Sequence, residues 1–163
     1  MEPLSKIEYQ SMIFTNEYFM RMALREANAA ADEGEVPVGA IIVHNNEVIG
    51  KAHNQVERLR DATAHAEMIA LTQAASFLEN WRLKDCVMYV TLEPCPMCAG
   101  AIVQARLKCV VFGARDWQQG GVLSNFGIAQ YAKNVHKVDV IEGVMEDECK
   151  SLLNDFFSNL RNK

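Results

Sequence analysis

Four side chains have types and spacings that suggest chemistry. Cys95 and Cys98 stand three positions apart in TLEPCPMCAGA (91–101), with Pro96 between them, where an apolar strand gives way to a helix. Cysteine pairs of this spacing serve redox exchange, structural metal binding or catalytic metal binding, and the segment alone does not choose. His65 and Glu67 lie in TAHAE (63–67), at the start of another helix. Residues two apart in mid-helix point to different sides, but in a first turn they can converge on a point beyond the helix end. His65, Cys95 and Cys98 are therefore candidate ligands of one Zn²⁺, which accepts nitrogen and thiolate donors and in catalytic sites keeps a fourth position for water. A helix N-terminus also favours thiolates. Zn²⁺ with two thiolates and a neutral imidazole carries no net charge. It is a weaker Lewis acid than zinc on three histidines, yet it still acidifies its water. Glu67, which need not touch the metal, is the candidate acceptor of that proton and its later donor to a departing nitrogen.

The elements that would position these residues follow from periodicity and punctuation. Thr15 caps a helix running to about Glu33, with Phe19, Met22, Ala23, Ala27 and Ala30 as its buried stripe and Gly34 as its stop. VGAIIV (38–43) and VIG (48–50) flank a polar turn and form a hairpin. A polar stretch leads to a helix over about 64–79, capped by Asp61 or Thr63. CVMYVTL (86–92) and KCVVFG (108–113) read as buried strands joined by a helix starting at Cys95 or Pro96, where proline suits the first position. VDVIEG (138–143) is a fifth strand. A last helix from Glu146 places Cys149, Leu152, Leu153, Phe156, Phe157 and Leu160 on one stripe. Residues 114–134 show no clear period. The order α-β-β-α-β-α-β-(α)-β-α requires a right-handed parallel crossover between residues 86 and 113, and helices on both faces of a mixed sheet. Sites in such sheets form at the carboxyl ends of strands, beside helix N-termini. Both TAHAE and EPCPMC sit at such junctions.

A chain of 163 residues fits one compact domain. The first dozen residues read as a loosely held arm without a signal-peptide pattern, and no apolar run reaches membrane-spanning length. A cytoplasmic protein with no membrane association is expected, its five cysteines reduced and odd in number, which argues against a disulfide framework. A net charge of −5 is a poor match for a non-specific nucleic-acid binder, so a nucleic-acid substrate would need a local basic patch or a shape-specific pocket. Structural zinc would need a fourth protein ligand such as Cys86 or Cys109, and both read as buried strand residues. Glu35 and Glu93 can each serve to fix local backbone. His44, His53 and His136 read as surface histidines. Trp117 is free either to pack or to stack on a base. Lys133, Lys137, Arg161 and Lys163 form a candidate phosphate-contacting patch.

His-x-Glu followed by Pro-Cys-x-x-Cys is the known signature of the zinc deaminases, matched here rather than derived. It reads His65-Ala66-Glu67 and Pro94-Cys95-Pro96-Met97-Cys98. GEVPVGA (34–40), TAHAEMIAL (63–71), RLKDCVMYVTLEPCPMCAGAI (82–102), VVFGARD (110–116) and ECKSLLNDFFSNLR (148–161) widen the match. On these stretches the chain resembles the tRNA-specific adenosine deaminases. The resemblance implies a three-layer α/β/α cytidine-deaminase-like fold with a mixed five-stranded sheet flanked by helices. It further implies one zinc-dependent deaminase domain over residues 15–163 behind an N-terminal arm of 1–14, and a homodimer. The implied activity is hydrolytic deamination of adenosine to inosine at the wobble position of a tRNA anticodon stem-loop. Carried over, His65, Cys95 and Cys98 hold one Zn²⁺ per subunit, and Glu67 shuttles the proton while zinc-bound hydroxide attacks C6 and ammonia leaves. Asn54 bonds the flipped nucleotide, Glu35, Val36, Pro37 and Ala66 lie at the base pocket, and Phe156 and Arg161 lie near the anticodon loop. After Asp116 the family's usual Lys-Gly-Ala-x-Gly-Ser-like stretch is replaced by WQQGGVLSNFGIAQYAKNVHKV (117–138), echoed only by Gly120, Gly121, Leu123 and Ser124. Two alternatives remain at this point: a deaminase of a free nucleobase or nucleoside, of guanine or cytosine type, and a non-catalytic RNA-binding protein that keeps zinc for stability.

Overall fold

The computed structural model describes residues 3–163. Its first element, α1 (Lys6–Ile13), occupies a stretch that the sequence reading left as an arm. The overlooked signal is SKIE: the Ser5 hydroxyl accepts from Glu8 N, and the Glu8 carboxylate accepts from Ser5 N at 2.8 Å, which closes a capping box. None of the α1 residues is buried. Residues 1 and 2 of the expected arm lie outside the described residues.

Thr15 caps α2 (Asn16–Asp32) by accepting from Tyr18 N at 3.1 Å. Its buried stripe is Phe19, Met20, Ala23, Ala27 and Ala30; Met20 takes the full burial expected of Met22, which is only partly covered. β1 (Gly39–His44) and β2 (Glu47–His53) form the hairpin. Its turn residues Asn45 and Asn46 both have positive φ, 50° and 63°, the combination that type I′ turns require and that asparagine tolerates. A short helix, α3 (Val56–Leu59), precedes α4 (Ala66–Leu78). Then follow β3 (Cys86–Leu92), α5 (Pro96–Gln104), β4 (Cys109–Ala114), a 3₁₀ turn at Ile128–Gln130, β5 (Asp139–Ile141) and α6 (Glu146–Arg161).

The strands lie in the order β2-β1-β3-β4-β5. β1 runs antiparallel to β2 and β3, whereas β3, β4 and β5 are parallel, so the sheet is mixed. Alternation along each strand feeds two cores. Ala40 and Ile42 of β1, Met88 and Val90 of β3, and Val110 and Phe112 of β4 face one side, against Ala66, Ala70 and Ala74 of α4 and Ala99, Ile102 and Val103 of α5. Ile41, Val43, Tyr89, Cys109 and Val111 face the other, against Phe19, Met20 and Ala23 of α2 and Cys149 of α6. These are the three layers expected from the element order. Helix α2 approaches β1 so closely that a Cβ on Gly39 would collide with the Ala23 carbonyl and the Ala27 amide. Of the apolar stripe on α6 only Cys149 is buried; Phe157 and Leu160 are exposed. Among the described residues, no helix is long and apolar enough to cross a membrane.

Candidate active site

β3 ends at Leu92, and Glu93-Pro94 leads into α5, with Cys95 in the N-cap position and Pro96 at the first helical position. Cys95 has extended backbone (φ −67°, ψ 172°) and its side chain makes no capping bond, so the thiol is free to point past the helix end. Cys98, one turn in, is fully buried. The neighbouring α4 begins the same way. His65 is its N-cap (φ −71°, ψ 150°), again without a side-chain capping bond. The expected caps, Asp61 and Thr63, bond each other instead: Asp61 Oδ1 accepts from Thr63 N at 2.8 Å and from the Thr63 hydroxyl at 2.7 Å. That turn leaves the cap position to an imidazole, whose Nδ1 stands 3.6 Å from both Cys95 Sγ and Cys98 Sγ.

The three donor atoms all lie within 4.8 Å of one another, an arrangement that could hold a metal ion. Its dimensions discriminate. Zinc bonds of about 2.3 Å to sulfur and about 2.05 Å to nitrogen, at a tetrahedral angle, separate the two ligand atoms by about 3.6 Å. The imidazole–thiol spacings match that edge. The electrostatics set the two thiols apart. A hydrogen bond from Cys98, with His65 adding to it, brings the Cys95 thiol down to about 4. The same bond and burial push Cys98 up. His65 is raised, chiefly by its bond to Cys95.

Glu67, in the first turn of α4, is 3% exposed. Burial pushes its carboxyl up to about 7, against the pull of His65. His65, Glu67 and Cys95 line a cavity of about 820 Å³ that opens between α3, α4, α5 and the carboxyl end of β3. That volume is in the range of small-molecule pockets. Val36, Val38, Leu92 and Met97 supply apolar walls, and Asp116 and Gln119 form part of the rim.

The other predicted site residues divide. Glu35, Val36, Asn54, Ala66 and Phe156 line the cavity. Pro37 is buried and is not part of the lining, and Arg161 is exposed at the end of α6, also outside it. Asn54 is held by its own neighbours, its amide donating to Val36 O at 3.3 Å and its Oδ1 accepting from Val56 N at 3.4 Å. The Glu35 carboxylate accepts from Glu57 N at 3.1 Å and Arg58 N at 2.7 Å, which anchors α3 over the cavity. Lys133, Lys137 and Lys163 are exposed.

Comparison with known proteins places the chain in a family. Residues 14–161 match the family described as MafB19-like deaminase. The chain is 46% identical over 150 residues to the tRNA-specific adenosine deaminase of Bacillus subtilis (strain 168), covering 91% of this chain and 92% of that protein. It is 50% identical over 146 residues to the tRNA-specific adenosine deaminase of Aquifex aeolicus (strain VF5), covering 90% and 96%. The chain belongs to the tRNA-specific adenosine deaminase family. A solved structure from work on A-to-I editing by tRNA:A34 deaminases at the wobble position of transfer RNA is 40% identical and superposes with a TM-score of 0.81, over 83% of this chain and 99% of that one. The fold is therefore the cytidine-deaminase-like one.

Within this deaminase framework, Glu93 fixes local backbone as expected, and His53 departs from expectation. Glu93, 2% exposed, accepts from Ser124 Oγ at 2.6 Å and Ser124 N at 3.1 Å, and Gly121 N donates to Pro94 O at 2.7 Å. A Cβ on Gly120 would strike the Glu93 carboxylate, and one on Gly121 would strike Cys95 backbone. The segment that departs from the family pattern is thus folded tightly onto the turn that carries Cys95. His53, expected at the surface, is half-buried between two carboxylates, at 3.2 Å from Glu26 and 3.0 Å from Glu33.

Proposed function

We propose that the protein deaminates adenosine to inosine at the wobble position of a tRNA anticodon, with His65, Cys95 and Cys98 holding one Zn²⁺ and Glu67 carrying the proton. Bound there, Zn²⁺ supplies a Lewis acid and an acidified water. Coordination takes the place of protons on both thiols, and two thiolates cancel the ion's charge, so Glu67 titrates beside a neutral cluster. The C6–N bond of adenine breaks, a C6–O bond forms, and ammonia leaves. Glu67 accepts the proton that water gives up and delivers it to the leaving nitrogen. Asn54, Glu35 and Val36 shape the pocket for the extruded base, and the apolar walls exclude bulk water. A single-stranded loop base leaves its stack most easily, which suits an anticodon loop. The reading includes a homodimer, as the family resemblance implies.

The observation that carries the reading is Glu67: a buried carboxyl in the first helical turn beside the zinc-fitting imidazole, lining a cavity large enough for a nucleoside. The test is inosine formation in an anticodon stem-loop with adenosine at the wobble position. Glu67→Gln is expected to lower turnover by about 10²- to 10⁴-fold, with zinc content and melting temperature unchanged. Zinc-loaded protein that makes no inosine but deaminates free guanine or cytosine would replace this reading with the free-base one. A Glu67→Gln protein as active as wild type would make the zinc structural.

A further inference from the structure

Trp117 is 69% exposed, yet the chain on both sides of it is fixed. Asp116 Oδ1 accepts from Gln118 N and Gln119 N, each at 3.0 Å. Gly120 N donates to Asp116 O at 2.8 Å, and the Asn125 amide donates to Gln118 O at 2.6 Å. The Arg115 guanidinium lies 5.0 Å from the centre of the indole and is itself clamped by Glu142, with Nη2 donating at 2.9 Å. The indole thus has a cation near its ring that is itself paired with Glu142, and most of its surface lies in solvent. Its sequence neighbour Asp116 and, two residues on, Gln119 both line the active-site cavity. The other tryptophan, Trp81, also has an arginine over its ring, with Arg82 at 4.2 Å, but lies outside the cavity lining.

A flat aromatic surface, kept exposed on a rigid frame at the rim of a pocket that takes one extruded base, meets the next base of the same strand. We propose that Trp117 is the stacking platform for a nucleobase adjacent to the adenosine that enters the cavity. The proposal rests on the RNA reading given above. Stacking needs a π-face and no particular hydrogen-bond pattern, so it tolerates any of the four bases. Preorganisation matters because an indole already fixed loses little freedom on contact. It also gives this acidic chain a way to grip RNA that does not depend on a basic surface.

The experiment uses zinc-loaded Glu67→Gln/Trp81→Phe protein, in which Trp117 is the sole tryptophan and the substrate is not consumed. Adding the wobble-adenosine stem-loop is expected to quench Trp117 fluorescence. Replacing one of the two nucleotides flanking the target with an abasic residue is expected to abolish the quench, while replacing the other leaves it. In the otherwise wild-type enzyme, Trp117→Ala is expected to raise KM by about 5- to 150-fold, the span that base–aromatic stacking energies imply. It should leave kcat and melting temperature near wild type, and Trp117→Phe should recover most of the KM. An unchanged KM in Trp117→Ala, with inosine still formed, overturns the platform and leaves the deaminase reading intact. Fluorescence that depends on protein concentration and not on RNA overturns it too, because a second copy then covers the indole. If wild-type protein forms no inosine at all, the deaminase reading itself has failed, which is a separate result.

Discussion

Ser124→Ala isolates the bond that ties the 116–126 loop to the turn that carries Cys95. The substitution removes the Oγ–H that Glu93 Oε1 accepts at 2.6 Å and leaves the backbone bond from Ser124 N at 3.1 Å. Glu93 is 2% exposed, so water does not replace the lost donor. A hydrogen bond to a charged group contributes about 1.5–3 kcal/mol, and a buried acceptor left unpaired keeps its desolvation cost. A chain of 163 residues unfolds with an entropy of about 0.34 kcal/mol/K, at about 2.1 cal/mol/K per residue. The loss then lowers the melting temperature by about 4–9 °C. Differential scanning calorimetry at fixed zinc concentration measures it. Because the same loop carries Asp116 and Gln119 to the cavity rim, KM for the stem-loop should rise while kcat is retained. In a double-mutant cycle with Glu93→Gln, the two side chains should couple by most of the single-mutant loss. A Ser124→Ala protein that melts within about 1 °C of wild type, with unchanged KM, refutes the idea that this bond positions the rim.

Three further outcomes follow from other parts of the molecule. Cys98→Ser is expected to lose the bound zinc on dialysis, as measured by metal analysis; a stoichiometric ion in that variant would remove Cys98 from the ligand set. Gly39→Ala forces a methyl into the Ala23 carbonyl and the Ala27 amide of α2, a backbone contact that cannot rotate away. It should cost about 3 kcal/mol in urea unfolding, and a loss below about 1 kcal/mol would mean that α2 is free to slide on β1. The third is a pH dependence. Burial alone would lower the His53 pKa, but Glu33 and Glu26 outweigh it and raise it above its ordinary 6.5. Lys51, 3.8 Å from Glu26, and Arg58, 3.7 Å from Glu33, are the other charges facing the cluster. A raised folded pKa adds stability that is complete below pH 6.5 and fades as pH rises through the folded value. The melting-temperature gap between wild type and His53→Asn should therefore be wider at pH 6 than at pH 8.5, and an equal gap at both would rule out a charged His53 bridge.

The strands were legible because their residues are. Runs such as CVMYVTL and KCVVFG are apolar on both faces, as strands covered by helices on two sides must be. Where the reading failed, the determinant lay outside local periodicity. Helix α1 is marked by its capping box and not by an apolar face. Helix α3 spans four residues and is stopped by Arg60 at φ 51°, too short for any period to show. The stripe on α6 was correctly spaced, but spacing reports which side is apolar and not what covers it: only Cys149 reaches the core, while Phe156 and Leu160 turn to the cavity. Residues 114–134 have no period because their anchors are scattered: the buried Glu93 carboxylate, two tightly packed glycines, and Val122 and Ala129, which reach the core singly and not as one face.

The site divides in the same way, and its three buried glutamates show why. Glu35, Glu67 and Glu93 all line one cavity and are 2%, 3% and 2% exposed. The sequence marks all three as carboxylates beside functional motifs. It marks only Glu67 by a spacing, two residues after the imidazole in a first helical turn. What separates Glu35 and Glu93 from Glu67 is that their donors come from segments distant in sequence, whereas Glu67 meets its own backbone amide and the Cys98 thiol. Glu35 takes two backbone amides from 22 and 23 residues away, and Glu93 takes an amide and a hydroxyl from 31 residues away. Each of these two carboxylates is a strut, because its two donors tie α3 or the 120–124 loop to it. Glu67 instead has its carboxyl pushed up to about 7 by burial, which leaves it able to take and return a proton near neutral pH. The two struts therefore fix the walls of the cavity, and Glu67 is the carboxyl to which the proposed reaction assigns the proton.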